Sequence, residues 1–312
     1  MTTGGTVGVC GAGQMGAGTA VVFARAGYTV LLWERAAERV GSVEQAVENF
    51  QTWMDQEIGP PHGVGGSLQV VSGLERIESE CGVVFEAIEE DLDEKASLLM
   101  RLGSGGSGQA VLATMTSGLS ITELGRRSGT GPRLAGTHFW NPPHLMPLVE
   151  VVAGEETSAE VLEQLTGVIA SAGKIPIRVN RDVPGFVGNR LLHALWREAI
   201  NLVDRGVASP GDIDRVARLT FGLRLPALGP LENMDAVGLD LVARIHDYLL
   251  LDLSRAARPQ PALAERVRSG DLGMKTGRGF YDWSSRDAGR LTATRDAQIV
   301  RQLDFLREVG AL

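Results

Sequence analysis

Three residues of this chain are of types that move a proton and hold an oxygen: Ser117, His138 and Glu150. An imidazole takes a proton near neutral pH, and a carboxylate beside it raises its basicity and fixes its tautomer. His138 stands after a predicted strand end and before Asn141-Pro142-Pro143, a stiff turn that would hold the ring at a sheet edge. Glu150 falls in the next predicted strand and can return beside it. Ser117 sits in a turn after a strand, at the carboxyl edge where doubly wound sheets bind ligands, so its hydroxyl can bond a substrate oxygen. Together these groups suit removal of a hydroxyl proton from a secondary alcohol while hydride leaves the same carbon. Each also has a purely structural reading: His138 as a satisfied core histidine, Glu150 as a surface acid on an edge strand, and Ser117, with Ser120, as a helix cap.

A hydride needs an acceptor, and the start of the chain offers a seat for one. Thr6 to Cys10 (TVGVC) is a short apolar run, followed by Gly11-Ala12-Gly13-Gln14-Met15-Gly16 and an apolar helical stretch over 17–26. Gly27 closes that helix, Thr29 to Trp33 (TVLLW) reads as a second buried strand, and Glu34 stands at its end. Strand, glycine turn, helix, strand and acid make a complete first βαβ unit of the dinucleotide-binding kind. Gly11 permits the tight turn, Gly13 lets the backbone approach a pyrophosphate, and Gly16 lets helix and strand pack closely. Gln14 and Met15 open the helix whose N-terminus would face the phosphates. A carboxylate at Glu34 can hold both ribose hydroxyls of NAD and would repel the 2′-phosphate of NADP, a choice that Arg35 alongside weakens.

The elements that must position these groups alternate along the first half. Buried strands are predicted at 83–85, 111–113, 148–152 and 175–179, with helical patterns such as 93–102 and 158–172 between them. Such alternation implies a parallel, doubly wound sheet. After Pro184 the texture turns helical: 185–206 is apolar at helical spacing, Ser209-Pro210-Gly211-Asp212 reads as a helix cap, and helical patterns run to about Val267. The tail carries one more amphipathic helix, with Ile299, Leu303, Phe305 and Leu306. The expected fold is therefore α/β, a Rossmann doubly wound parallel sheet over 1–183 followed by an all-helical C-terminal domain over 184–312.

Composition narrows the class. With 312 residues, 44% hydrophobic and 22% charged, the chain can bury a sizeable core and has no disordered-protein balance. A net charge of −8 argues against binding nucleic acid through its phosphates. No apolar run approaches the ~18 residues of a membrane span, so no membrane partner is expected. The first basic residue is Arg25, which predicts no signal peptide and a cytoplasmic protein. Cys10 and Cys81 form no CxxC pair and read as inert thiols of a reducing compartment. No set of His, Cys and carboxylate residues has metal-ligand spacing, so no metal is expected.

Several runs together resemble the 3-hydroxyacyl-CoA dehydrogenase family and its relatives acting on free hydroxy acids. They are GAGQMG (11–16), FEAIEEDLDEK (85–95), TMTSGLSITEL (114–124), GTHFWNPPHLMPLVEVV (136–152), DVPGFVGNRLL (182–192), GPLENMDAVGLD (229–240) and KTGRGFYDW (275–283). They span both halves of the chain in family order. The resemblance implies a Rossmann domain, NAD as cofactor, a helical domain that mediates dimerisation, and a small-molecule substrate. It implies that His138 and Glu150 are the proton-transfer pair, and that Ser117 and Asn189 polarise the substrate oxygen. Asn189 can also be read as a buried amide tying its helix to the domain linker. Cofactor-binding positions carried over are Gly11, Gly13, Gln14, Met15, Gly16, Glu34, Glu86, Ala87 and Lys95, with Glu90 nearby. Glu86 would end a strand and face the nicotinamide ribose, whereas Lys95 could equally be a solvated helix charge. His144 reads as a surface or substrate-shaping contact.

The chain departs from the family pattern in the segment that binds CoA. Between Val40 and Glu75 it has no Lys or Arg but carries Glu44, Glu48, Asp55, Glu57 and Glu75, a poor seat for a polyanion. Met115 stands where family members carry Asn, and HFWNPPHL is worded more like gulonate dehydrogenase, carnitine dehydrogenase or the pyridine-carboxylate alcohol dehydrogenase of vitamin B6 breakdown. Two substrates are therefore expected: a 3-hydroxyacyl thioester of CoA, the family default, or a small free hydroxy acid. For a free acid, Arg190 or Arg224 would supply the cation. A 6-phosphogluconate-type enzyme would need a Lys ahead of Asn189, and 185–190 contains none. A non-catalytic NAD-binding protein would have dropped the polar groups that this chain keeps.

Overall fold

The computed structural model describes residues 5–61, 65–105 and 109–312. The chain divides into two compact units, the first ending at Arg190 and the second beginning at Leu191. The first is built on an eight-stranded sheet. Its strands are β1 (Thr6–Cys10), β2 (Thr29–Trp33), β3 (Ser67–Val71), β4 (Val83–Glu86), β5 (Val111–Thr114), β6 (Leu134–Phe139), β7 (Leu148–Ala153) and β8 (Ile175–Val179). Their order is β3-β2-β1-β4-β5-β6-β7-β8. The chain reverses direction across the sheet beside β1, which opens a crevice at the carboxyl ends of β1 and β4.

Helices α1 (Gln14–Arg25), α2 (Val40–Glu57), α3 (Glu75–Glu80), α4 (Leu92–Ser104), α5 (Ile121–Ser128) and α6 (Ala159–Ser171) connect these strands. The strands are short, apolar and β-branched because helices cover both faces of the sheet. Val9, Val30, Leu32, Phe85 and Ala113 lie in one core cluster with Phe23 of α1 and Leu165 of α6. Leu31, Val84 and Leu112 lie in another with Leu99 of α4 and Leu124 of α5.

The sheet is the expected doubly wound, parallel one except in one place. β6 and β7 pair antiparallel, Ala135 with Ala153 through Phe139 with Val149. Residues 140–147 between them form a turn with no helix, and a parallel crossover needs a longer connection. β3 was not among the expected strands, and the strand expected to end before His138 runs on through it as β6. His138 consequently lies inside β6 rather than beyond a strand end, and it is 4% exposed rather than open at an edge.

The second unit is helical. α7 (Gly188–Asp204) leads into it, followed by α8 (Pro210–Leu219), α9 (Phe221–Arg224), α10 (Pro230–Val237), α11 (Leu239–Asp252), α12 (Pro261–Arg268) and α13 (Ala288–Glu308). Ser209 caps α8 by accepting from the Asp212 N–H. Among the described residues, none beyond Phe186 has a buried side chain. No helix of the described residues is long and apolar enough to cross a membrane.

Candidate active site

The carboxyl ends of β1, β4, β5 and β6 all point to one edge of the sheet, because these strands run parallel to their neighbours. The expected site residues Gly11, Ala87, Ser117 and His138 lie at or just past those ends. At Gly11 the backbone has φ +112°, and a Cβ there would meet the Ala87 carbonyl oxygen at 2.6 Å. A Cβ at Gly16 would stand 1.8 Å from the Gly11 oxygen, so α1 and the loop touch backbone to backbone. Gly13 differs: nothing lies within 4 Å of the space its Cβ would take. As the N-cap of α1 it offers no side-chain cap, which leaves the first N–H groups around Gln14 and Met15 for a ligand. At the end of β2 the Glu34 carboxylate accepts the Ala36 N–H at 3.0 Å and lies 3.7 Å from Arg39. Open space over Gly13, an uncapped helix start and an acid at the second strand fit a dinucleotide whose ribose carries no 2′-phosphate.

The loop is joined to the turn that follows β6. Gly18 on α1 leaves room for Pro143, whose Cγ would be 2.6 Å from a Cβ there. Gln14 Nε2 donates to Asn141 Oδ1 at 3.4 Å. These two contacts hold the turn after β6 against α1.

His138 and Glu150 face each other as a register pair of the antiparallel ladder. Nδ1 of His138 stands 2.7 Å from Oε2 of Glu150. The other carboxylate oxygen accepts N–H groups from Val187 at 2.9 Å and Gly188 at 3.0 Å, where α7 begins. Burial pushes the Glu150 carboxyl up, but the bonds from His138, Gly188 and Val187 outweigh it and leave the group below its ordinary value. A charged carboxylate so held accepts a hydrogen bond from Nδ1–H, which keeps the proton on Nδ1 and leaves Nε2 of His138 as the acceptor. Trp140 and Phe186 lie against the imidazole with ring centroids 5.1 and 5.8 Å away. Gly188 lets Trp140 in, since a Cβ there would meet its Cζ2 at 2.2 Å.

The Ser117 turn is tied down by neighbouring groups. Its N–H donates to Glu90 Oε1 at 2.8 Å, and its carbonyl accepts Asn189 Nδ2 at 2.8 Å. The capping duty considered for it belongs to Ser120, which caps α5 and donates to Asp182 at 2.6 Å. Asn189 therefore spends one N–H on backbone and keeps the other.

Lys95 is not a solvated helix charge. It is 1% exposed and donates to Glu86, itself 0% exposed, at 2.8 Å. Glu86 also accepts the Ile88 N–H at 2.8 Å and the Thr114 hydroxyl at 2.7 Å. The pair is thus buried where β4 ends, and Glu90, 3.4 Å from Lys95, is the half-exposed acid of the group.

Phe186, Asp182 and the N–H groups of Val187 and Gly188 were not singled out from sequence, although the positive φ at Gly185 and Phe186 is foreshadowed by the PGF run. Arg190 is exposed and donates to the Pro184 carbonyl at 3.3 Å, whereas Arg224 belongs to the second unit. His144 lies edge-on to Phe50 and Trp53 of α2 at 4.5 and 5.4 Å. Burial pushes the Cys81 thiol up to about 12 and the Cys10 thiol well above its ordinary value, which makes them poor nucleophiles. Among the described residues no His, Cys, Asp and Glu cluster could hold a metal ion.

A Rossmann-type crevice with a dinucleotide loop and a His–Glu pair at its edge defines the class of nicotinamide-dependent dehydrogenases. Residues 6–183 match the family description "3-hydroxyacyl-CoA dehydrogenase, NAD binding domain", and residues 185–283 match its C-terminal domain. A probable 3-hydroxybutyryl-CoA dehydrogenase of Deinococcus radiodurans is 37% identical over 280 residues, covering 88% of this chain and 99% of that protein. The solved structure of (S)-3-hydroxybutyryl-CoA dehydrogenase from Ralstonia eutropha superposes with a TM-score of 0.73 at 29% identity, over 89% of this chain and 98% of that one. The structure of 5-formyl-3-hydroxy-2-methylpyridine 4-carboxylic acid 5-dehydrogenase, described as an NAD+-dependent dismutase, superposes with a TM-score of 0.91 at 30% identity, covering 97% and 98%. The chain belongs to the 3-hydroxyacyl-CoA dehydrogenase family. It is an NAD-dependent oxidoreductase acting on CH–OH groups.

Proposed function

We propose that the substrate is a small free carboxylic acid bearing a secondary or ring-attached alcohol, rather than a CoA thioester. The observation that carries this reading is the run 40–75, which has no Lys or Arg to meet the phosphates of CoA. The TM-score of 0.91 with the pyridine-carboxylate enzyme, against 0.73 with the hydroxybutyryl-CoA enzyme, supports the same reading. Arg190, next to Asn189 in the chain and exposed, supplies the carboxylate contact. The thioester reading is favoured instead by the 37% identity with the Deinococcus protein.

In this reading His138 accepts the hydroxyl proton at Nε2, and the Glu150 carboxylate stabilises the imidazolium that forms. The Ser117 hydroxyl and the second Asn189 N–H hold the oxygen as it becomes a carbonyl. NAD, when held at the glycine loop, would supply the hydride acceptor. Gly11, Gly13, Gln14, Met15, Gly16, Glu34 and Ala87 make its seat, with Glu86 and Lys95 beneath. The dinucleotide-binding domain ends at residue 183, and the helical domain from 184 makes a homodimer. Exposed Leu223, Leu231, Leu239, Tyr248 and Leu251 support the dimer, since helices so apolar need a partner surface. Two buried free thiols suit a cytoplasmic enzyme.

The test is NADH consumption with acetoacetyl-CoA beside acetoacetate and a panel of free keto acids and ring-bearing carbonyl carboxylates. Turnover of free acids alone is the expected result. Turnover of the thioester alone overturns it.

A further inference from the structure

The turn carrying Ser117 has no regular structure, and Ser117 and Gly118 are exposed on it. A hydroxyl that must meet a reacting oxygen from such a turn needs its backbone fixed, because a displacement of about 1 Å can cost ~10²-fold in rate. The Ser117 peptide is in fact held from both sides. Its carbonyl takes the Asn189 amide, and its N–H goes to Glu90 Oε1, each at 2.8 Å. The same Oε1 takes the Thr116 hydroxyl at 2.6 Å. Glu90 Oε2 lies 3.4 Å from Lys95 Nζ, which the Glu86 carboxylate pins at 2.8 Å. Glu86 in turn takes the Thr114 hydroxyl at 2.7 Å. The Glu90 carboxylate thus joins the turn after β4 to the turn after β5, Glu86 joins the two strands beneath, and one buried ammonium ties the two carboxylates together.

We propose that Glu90 is a positioning residue of the hydride-transfer reaction: it holds the Ser117 peptide so that the hydroxyl faces the substrate oxygen, and Lys95 holds Glu90. The assignment rests on the reading of Ser117 given above. An acid that merely decorated the surface would not accept two donors from consecutive residues while facing a buried cation. Glu90 fixes the peptide group before Ser117 and Asn189 the one after it, so neither plane turns freely and the turn cannot slide.

The experiment compares wild type, Glu90→Ala, Glu90→Gln, Ser117→Ala and the Glu90→Ala/Ser117→Ala double variant in kcat at saturating NAD+, NADH Kd and unfolding midpoint. Glu90→Ala is expected to lower kcat by about tenfold or more while the NADH Kd stays within about threefold. Glu90→Gln keeps an acceptor oxygen and is expected to restore most of kcat. In the Ser117→Ala background the Glu90→Ala loss should shrink below about threefold, because a residue that acts through Ser117 has nothing left to position. A full loss in both backgrounds, or a loss that appears in the NADH Kd instead of kcat, overturns the proposal. Unchanged kcat in Ser117→Ala overturns the reading of Ser117 and the positioning role with it. Lowered kcat in Ser117→Ala with a multiplicative Glu90→Ala loss leaves Ser117 standing and overturns Glu90 alone. Should Glu90→Ala fail to fold, Glu90→Asp keeps the charge near Lys95 but draws the acceptor away from the Ser117 N–H. It should then lower kcat more than Glu90→Gln, and the reverse order overturns the proposal.

Discussion

Glu150 meets His138 across the antiparallel β6–β7 ladder, with Oε2 2.7 Å from Nδ1 and Oε1 on the Val187 and Gly188 N–H groups. One carboxylate therefore sets the histidine tautomer and fastens the start of α7. Register makes the pairing obligatory: a slip of one residue would turn Glu150 to the opposite face of the sheet.

Removing either member should separate chemistry from binding. His138→Gln is expected to lower kcat by about 10²–10⁴-fold and leave NADH affinity unchanged, because the glycine loop lies on other elements. Glu150→Gln should lower kcat less, since the imidazole remains but its tautomer is no longer imposed. Steady-state kinetics with NADH fluorescence titration checks both, and wild-type turnover in His138→Gln would remove it from the reaction.

The lowered Glu150 carboxyl also links folding to pH. A group whose folded value lies below its unfolded one contributes stability above the ordinary carboxyl range, and that contribution is lost as pH falls through the folded value. Urea unfolding of wild type and Glu150→Gln should therefore converge as the solution is made more acidic than the ordinary carboxyl value. A stability difference independent of pH would show that the carboxylate's charge is not what α7 uses.

The glycines of the loop divide into two kinds. A Cβ at Gly16 would lie 1.8 Å from the Gly11 oxygen, so Gly16→Ala should lower the unfolding midpoint by several degrees or prevent folding. Gly13 has φ −70° and nothing within 4 Å of its missing Cβ, so Gly13→Ala should fold normally and weaken NADH binding by tenfold or so. Thermal unfolding with and without NADH distinguishes them, and unchanged affinity in Gly13→Ala would put the pyrophosphate elsewhere.

Much of this was legible in the chain, and the parts that were not have physical reasons. The glycine loop and Glu34 announce themselves because a tight turn, a close approach and an acid each demand one residue type at a fixed spacing. The partnership of His138 and Glu150 was readable from residue type, yet its antiparallel geometry was not: the buried runs LAGTHF and LVEVVA carry no alternation that reveals strand direction. Lys95 read equally as a solvated charge, since a lysine four residues into a helix looks the same whether or not a carboxylate waits beneath it. Neither the Ser117 clamp nor the Glu150–α7 contact could be foreseen, because each depends on backbone N–H and C=O groups that every sequence possesses.

Glu34 should govern the choice of cofactor. Its carboxylate lies at the end of β2 with Arg39 3.7 Å away and Arg35 next in the chain. Glu34→Ser removes the charge that opposes a 2′-phosphate and leaves those two cations, so the ratio of kcat/KM for NADPH to that for NADH should rise by at least tenfold. An unchanged ratio would mean that the ribose does not reach Glu34.

Lys174, at the entrance to β8, offers a test of the packing behind the turn that follows β6. It is 8% exposed and donates to the carbonyls of Met146 at 2.9 Å and His144 at 3.4 Å. Burial pushes its ammonium down to about 8 from an ordinary 10.5. Between those values the unfolded chain binds a proton that the native state has released, so native stability rises with pH across that window. At about 1.4 kcal/mol per unit, the rise amounts to ~3 kcal/mol at most. Lys174→Met lacks the titrating group, so the wild type should gain stability relative to the variant between pH 8 and pH 10.5, with the difference flat below pH 7. Parallel urea titrations of the two proteins across that range measure the difference directly. Curves that stay parallel would mean that the ammonium keeps its ordinary affinity for the proton, and that the 144–146 carbonyls stabilise its charge as well as water does.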